Sequence, residues 1–259
     1  MDANRNDEVA GLRVGDRCSG VVTGITRSRT WSVALDGFPK GVSGWFGPLE
    51  LPWGRKDPIE VGDRITAEVF AVDPKRRQVR LSLAAAAHPE LWAFLSGLRP
   101  GQPLTGTIAS IERFGVFVAL DEGPDHPVFP GVGFLTHPEL SWQRFESVEE
   151  VVRVGERVRC EFLQFDIWNG EARLSLRAFQ PDPFRELADR LTVGQSVSGR
   201  VTKVLPFGVF VRVAAGVEGL VHRDEGGQGL DVGAEVTTTV ADLDLPRRRL
   251  RLTIRQLPA

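Results

Sequence analysis

The stretch VGQSVSGRVTKVLPFGVFVRV, residues 193–213, decides the fold, because the chain repeats it. PGQPLTGTIASIERFGVFVAL (100–120) follows the same pattern, and VGDRCSGVVTGITRSRTWSVAL (14–35) follows it more loosely, with one extra residue. Each copy continues into a glycine-rich piece: GVEGLVHRDE, GVGFLTHPEL and GVSGWFGPLEL. A strand-like block comes next: VGAEVTTTVADLD, VGERVRCEFLQFD and VGDRITAEVFAVD. A strongly alternating strand closes each copy, as RRRLRLTIRQ, EARLSLRAF and RQVRLSLAA. The blocks keep their order, and the marker glycines Gly20, Gly106 and Gly199 fall 86 and 93 residues apart. Self-similarity of this kind means tandem structural units.

Within a copy, β-branched runs and glycine turns mark five short strands. Five strands in a unit this small suit a closed barrel of the OB type. The expected fold class is therefore all-β: three tandem five-stranded OB-fold barrels over 12–84, 98–178 and 192–256. Between them, 85–97 and 179–191 have helical spacing and no β-branched runs. In PDPFREL a proline precedes Phe184, Leu187 and Leu191, which repeat at helical intervals. Short linker helices are expected there.

Bulk properties narrow the function. The 259 residues suffice for two or three small domains. Apolar residues at 42% and charged residues at 25% predict packed cores. A net charge of −2 means that any nucleic-acid site is a local patch. No apolar run approaches membrane-spanning length, and the polar start MDANRNDEVAGLRVGD argues against a secretory signal. Cys18 and Cys160 are too few and too far apart for a disulfide framework or zinc site, so both are expected as reduced, small apolar residues of a cytoplasmic protein. Arginine dominates the basic residues, and only Lys40, Lys56, Lys75 and Lys203 are lysines. Guanidinium groups suit phosphate contacts and base stacking.

The outer face of the repeated strand is the clue to chemistry. Val209, Val211 and Val213 alternate with Phe210 and Arg212, so the valines supply a core and the phenylalanine faces out. A bulge at Gly208 would bring Phe207 onto the same face. Phe114, Gly115 and Phe117 repeat the arrangement, with Val116, Val118 and Leu120 inward. Exposed rings are costly unless a partner covers them. Rings beside arginines on an OB barrel are what single-stranded nucleic acid needs, at about 1–3 kcal/mol per stacked base.

The three copies resemble S1 domains, the RNA-binding OB-fold module, over nearly the whole chain. The most specific match is GRVTKVLPFGVFVRV, then GVEGLVH, VGAEV, and an aspartate shortly before RRLRLT. The resemblance implies an RNA face of two phenylalanines, a histidine, and an aspartate and arginine flanking the last turn. In copy three these fall on Phe207, Phe210, His222, Asp244 and Arg249, with Arg248 and Arg247 beside the last and Arg212 next to Phe210. In copy two they fall on Phe114, Phe117, His137 and Asp166, while Glu171 replaces the arginine. Copy one keeps only Asp73: Arg29 and Ser32 stand for the phenylalanines, Pro48 for the histidine and Gln78 for the arginine. Trp31 is expected in its core.

Charge divides the copies further. Copy three has 9 basic and 7 acidic residues, copy two 8 and 12, and copy one 12 and 8. Phosphate attraction dominates nucleic-acid affinity, so copy three is the expected principal site and copy two an auxiliary. Copy one carries Arg27, Arg29, Lys40, Arg55 and Lys56, with Trp45, Phe46 and Trp53 expected in loops, and suits docking, for instance on a 30S ribosomal subunit. The expected function is non-catalytic binding of single-stranded RNA, by resemblance mRNA in translation, by a monomer without cofactor or membrane contact. Two alternatives remain: an accessory RNA-binding factor in RNA decay or transcription, and a protein-interaction scaffold. His88, His126, His137 and His222 show no metal-ligand spacing. DEGPDHP (121–127) gathers acids around His126 but reads as a loop, and no phosphate-cradling glycine loop or catalytic constellation occurs.

Overall fold

A computed structural model of the chain describes residues 11–39 and 41–254. Strands β1 (Arg17–Ile25), β2 (Trp31–Leu35), β3 (Ser43–Phe46), β4 (Arg64–Asp73) and β5 (Gln78–Ser82) form the first barrel. Helices α1 (Leu83–Ala87) and α2 (Pro89–Gly97) come after it. The second barrel takes β6 (Pro103–Glu112), β7 (Gly115–Leu120), β8 (Gly133–Leu135), β9 (Arg157–Asp166) and β10 (Glu171–Ser175). After α3 (Pro183–Ala188) comes the third, with β11 (Ser196–Leu205), β12 (Gly208–Ala214), β13 (Val217–His222), β14 (Glu235–Asp244) and β15 (Arg249–Thr253). Each barrel closes in the strand order 1-2-3-5-4, with its third and fifth strands parallel. Closure leaves no strand edge to pair with another chain.

The alternation in the sequence places the cores. Val209, Val211 and Val221 are fully buried in the third barrel, as are Val116, Val118 and Leu135 in the second. Trp31 is core as expected, stacked on Phe46 at 5.1 Å and donating from its indole to Ile59 O at 3.0 Å. Cys18 and Cys160 are free thiols, and burial pushes them up to about 11 and about 12. The marker glycines sit where the first strand of each barrel crosses its neighbour. A Cβ at Gly20, Gly106 or Gly199 would collide with the carbonyl oxygen of Ala34, Ala119 or Arg212.

The bulge lies elsewhere than the sequence suggests. The register shifts on the first strand of each barrel, between Val22 and Gly24, Ile108 and Ser110, and Val201 and Lys203. Phe207 precedes β12 in the hairpin turn, and Phe210 alone of the pair is on the strand. Gly208 serves close approach instead, since a Cβ there would collide with Val221 O.

The chain forms two compact units, Met1–His137 with Val152–Leu176, and Pro138–Val151 with Arg177–Ala259. In the first unit Trp53 joins the barrels. It is buried, donates to Ile167 O at 2.9 Å, and stacks on His88 at 5.6 Å and Trp92 at 6.0 Å. The expectation of loop aromatics in copy one holds for the position of Trp53, though not for its exposure, and is corrected for Trp45 and Phe46. Trp45 and Phe46 lie on β3, Phe46 is fully buried, and Trp53 is packed away. Lys40 lies outside the described residues. In the second unit, residues 138–151 of copy two group with the third barrel. Trp142 lies between the guanidinium groups of Arg177 and Arg248, at 4.3 and 4.2 Å. Helix α3 starts on Asp182, whose carboxylate accepts from Phe184 N at 2.9 Å and Arg185 N at 3.3 Å.

Candidate nucleic-acid interface

Strand register defines one comparable row across each barrel. In the third barrel Phe210 pairs with Leu220, which pairs with Arg251. In the second the row is Phe117, Phe134 and Arg173. In the first it is Ser32, Trp45 and Arg80.

The third row lines a cleft of about 470 Å³ that brings together Phe210, His222, Asp244, Arg247 and Arg249. Phe210 is half-buried on the face opposite the core valines. Phe207 stands in the adjoining turn, 53% exposed. That turn is tied down by Arg223 N, which donates to Phe207 O at 3.0 Å. Asp244 shapes the β14–β15 turn by accepting from Arg247 N at 2.9 Å. Arg249 is exposed and has no ion-pair partner among the described residues. Arg212 is exposed and lies 3.6 Å from Glu218. Phe207 and Phe210 thus offer rings for stacking, and Arg247 and Arg249 offer cations for phosphate, all of them accessible.

Arg248 is different. Its backbone is left-handed, at φ 54°. Its guanidinium pairs with Asp182 and lies over Trp142 at 4.2 Å and Phe184 at 5.1 Å. Arg248 holds the Asp182 carboxyl below the usual carboxylate range, chiefly by hydrogen bonding. Arg248 also lines the cleft, as expected of an RNA-facing residue, while its guanidinium fastens the β14–β15 turn to the start of α3.

The second barrel repeats the motif with its platform closed. Phe114 is 63% exposed, but Phe117 is only 2% exposed. Phe117 faces outward as its register requires, yet Phe129 stacks on it at 4.9 Å and Phe134 packs edge-on at 5.0 Å. His126 backs Phe129 at 4.8 Å. Its Nδ1 accepts from Val128 N and Phe129 N at 3.1 and 3.0 Å, and its Nε2–H donates to Asn169 O at 3.0 Å. Those partners require a neutral ring, and burial lowers its pKa accordingly. The expected exposed ring at Phe117 is therefore corrected, because the loop after β7 folds back over it.

The polar half of the second motif is also spent internally. Asp166 accepts from Trp168 N, Asn169 N and the Asn169 side chain at 3.1, 3.4 and 3.1 Å, and pairs with Arg173. Burial raises its pKa, but hydrogen bonding and charge from Arg173 outweigh this and hold it below the usual carboxylate range. Arg173 lies over Phe134 at 4.6 Å. Glu171, at the arginine position, is 3% exposed. Desolvation pushes it up to about 7, against the pull of Arg173 and with added repulsion from Asp166. His137 is half-buried, and its buried Nε2 has no hydrogen-bond partner among the described residues.

In the first barrel Arg80 lies over Trp45 at 5.4 Å and Phe70 at 5.1 Å, and its charge is met by buried Glu50. Arg27 and Arg29 in the β1–β2 turn and Lys75 in the β4–β5 turn are exposed, and Ser32 offers no ring.

A sequence model described as the S1 RNA binding domain matches residues 98–177 and 190–255. This chain belongs to the S1 RNA binding domain family. The matched spans are the two S1 copies that carry paired phenylalanines. Small ribosomal subunit protein bS1 of Mycolicibacterium smegmatis is 39% identical over 209 residues, covering 76% of this chain and 42% of that protein. The bS1 protein of Pseudomonas aeruginosa is 32% identical, covering 75% of this chain and 36% of its own length. This S1 chain therefore spans less than half the length of these curated relatives. A crystal structure described as a multidomain protein with nucleic acid binding domains, from Streptococcus pneumoniae, is 18% identical, with 94% of this chain and 74% of that one covered at a TM-score of 0.23.

Three residues that shape the S1 faces escape the sequence reading. Phe129 lies in a proline-rich loop, and nothing local signals that it covers Phe117. Trp142 lies in a segment without periodicity. Trp168 is the findable one, since DIWNGE puts a large ring in an Asn-Gly turn.

Proposed function

We propose that this chain binds single-stranded RNA without catalysing a reaction, and that its third barrel is the principal site. One observation carries this reading: the cleft that gathers Phe210, His222 and Asp244 with Arg247 and Arg249, with exposed Phe207 beside it. Rings take bases from either face with little sequence preference, and the cations meet phosphates. Family membership supports the ligand class. The bS1 relatives support placing the activity in translation, with unstructured mRNA held at or near the small ribosomal subunit in the cytoplasm. Tandem sites in a monomer raise avidity, so weak individual contacts suffice. The first barrel, with exposed cations and packed rings, fits docking on the subunit better than base stacking.

The test is binding of a labelled oligouridine by the full chain. Phe207→Ala with Phe210→Ala lowers affinity about tenfold or more, from the loss of stacking, while thermal unfolding stays unchanged. Undiminished affinity in a folded double variant refutes the reading.

A further inference from the structure

The turn that joins β9 and β10 is pinned at almost every polar atom. Asp166 accepts from Trp168 N and Asn169 N, and Gly170 N closes the turn on Asp166 O at 2.8 Å. Ile167 O accepts from the Trp53 indole at 2.9 Å, and Asn169 O from His126 at 3.0 Å. The Trp168 side chain is the exception. It is 60% exposed and makes no ring contact among the described residues, while the other five tryptophans are buried or half-buried. A rigid turn thus holds a large apolar ring in water, an arrangement that favours a covering partner.

Its place in the barrel specifies the partner. Strand β10 runs parallel to β8, and β7 runs antiparallel to both. Phe114, in the turn before β7, therefore lies at the opposite end of the Phe117–Phe134–Arg173 row from the β9–β10 turn. Phe114 is 63% exposed and stacks on Phe134 at 5.9 Å. Beside it Arg113 is exposed and has no ion-pair partner among the described residues. The corresponding turn of the third barrel carries Arg247 and Arg249. Here Asn169 and buried Glu171 stand at those two positions, and the exposed side chain of the turn is the Trp168 indole, level with Pro246.

We infer that the second barrel binds a base of single-stranded RNA on Trp168, with Phe114 taking a second base, in place of the sealed Phe117. The inference rests on the proposed function for its ligand class and adds a contact that the S1 resemblance does not assign. Stacking on an indole needs no phosphate attraction, which suits a copy with 8 basic and 12 acidic residues. The contact is accordingly insensitive to salt, unlike the arginine-flanked cleft of the third barrel.

The full chain carrying Phe207→Ala and Phe210→Ala isolates the effect. Adding Trp168→Ala weakens binding of an oligouridine of about 12 nucleotides roughly tenfold, and Trp168→Phe retains most of the affinity. The slope of affinity against salt does not change. Oligouridine quenches tryptophan fluorescence in the parent, and Trp168→Ala removes that quench. Unaltered affinity and quench in Trp168→Ala overturn the inference and leave the ring to a protein partner. Loss in Trp168→Ala with no loss in the phenylalanine pair sustains it and overturns the third barrel as principal site.

Discussion

Phe117 and Phe210 occupy the same register of the same motif, FGVF, yet one is sealed and the other lines an open cleft. Both alternate with buried valines, so both leave the barrel core and turn outward. The difference lies in the connection to the next strand. In the third barrel, β12 leads to β13 through a tight Ala214–Val217 connection that covers nothing. In the second, 12 residues separate Leu120 from Gly133, and they bring Phe129 and His126 over the ring. A strand's register decides which face a side chain takes. The length and content of the neighbouring loop decide whether that face meets solvent.

The largest test of this contrast is Phe117→Ala. Deleting a buried ring costs about 3–5 kcal/mol. The second barrel should lose stability by about that much in denaturant unfolding, with the RNA contacts of the third barrel intact. Destabilisation by less than about 1 kcal/mol would mean that the ring is as free as Phe210.

The arginine position sharpens the same contrast more gently. Arg249 is exposed in the third barrel, whereas Glu171 is buried and pushed up to about 7 in the second. A carboxyl whose folded pKa is raised adds stability that is fully present below its unfolded value and is lost as pH rises through about 7. Glu171→Gln should therefore stabilise the second barrel by about 1–3 kcal/mol at pH 8, a gain that fades toward pH 4. Thermal unfolding across that range checks it. A gain independent of pH would assign the effect to packing rather than to the charge.

Much of this molecule is legible in its sequence. The repeated blocks give three five-strand units, and the period-2 valines give their cores, because those signals are local. The linker helices are readable for the same reason, from the lack of β-branched runs and, in the second, from the proline before Phe184 and the spacing of Phe184, Leu187 and Leu191. What escapes depends on contacts between distant residues. Nothing near Phe117 tells of Phe129, and nothing near Trp53 tells of Ile167 O, more than 100 residues on. Gly208 misleads because a strand glycine serves a bulge or a close approach equally well. Arg248 lines the cleft with Arg249, but its second tie, from a left-handed turn position to Trp142 and Asp182, has no local signal.

Amide chemical-shift mapping of the full chain with oligouridine tests the difference between open and sealed rings most directly. The expected perturbations concentrate on Phe207, Phe210, His222 and Arg249, while the amides of Phe117 and Phe129 stay in place. Shifts at Phe117 and Phe129 as large as those at Phe210, or no response in the third barrel, would contradict the account.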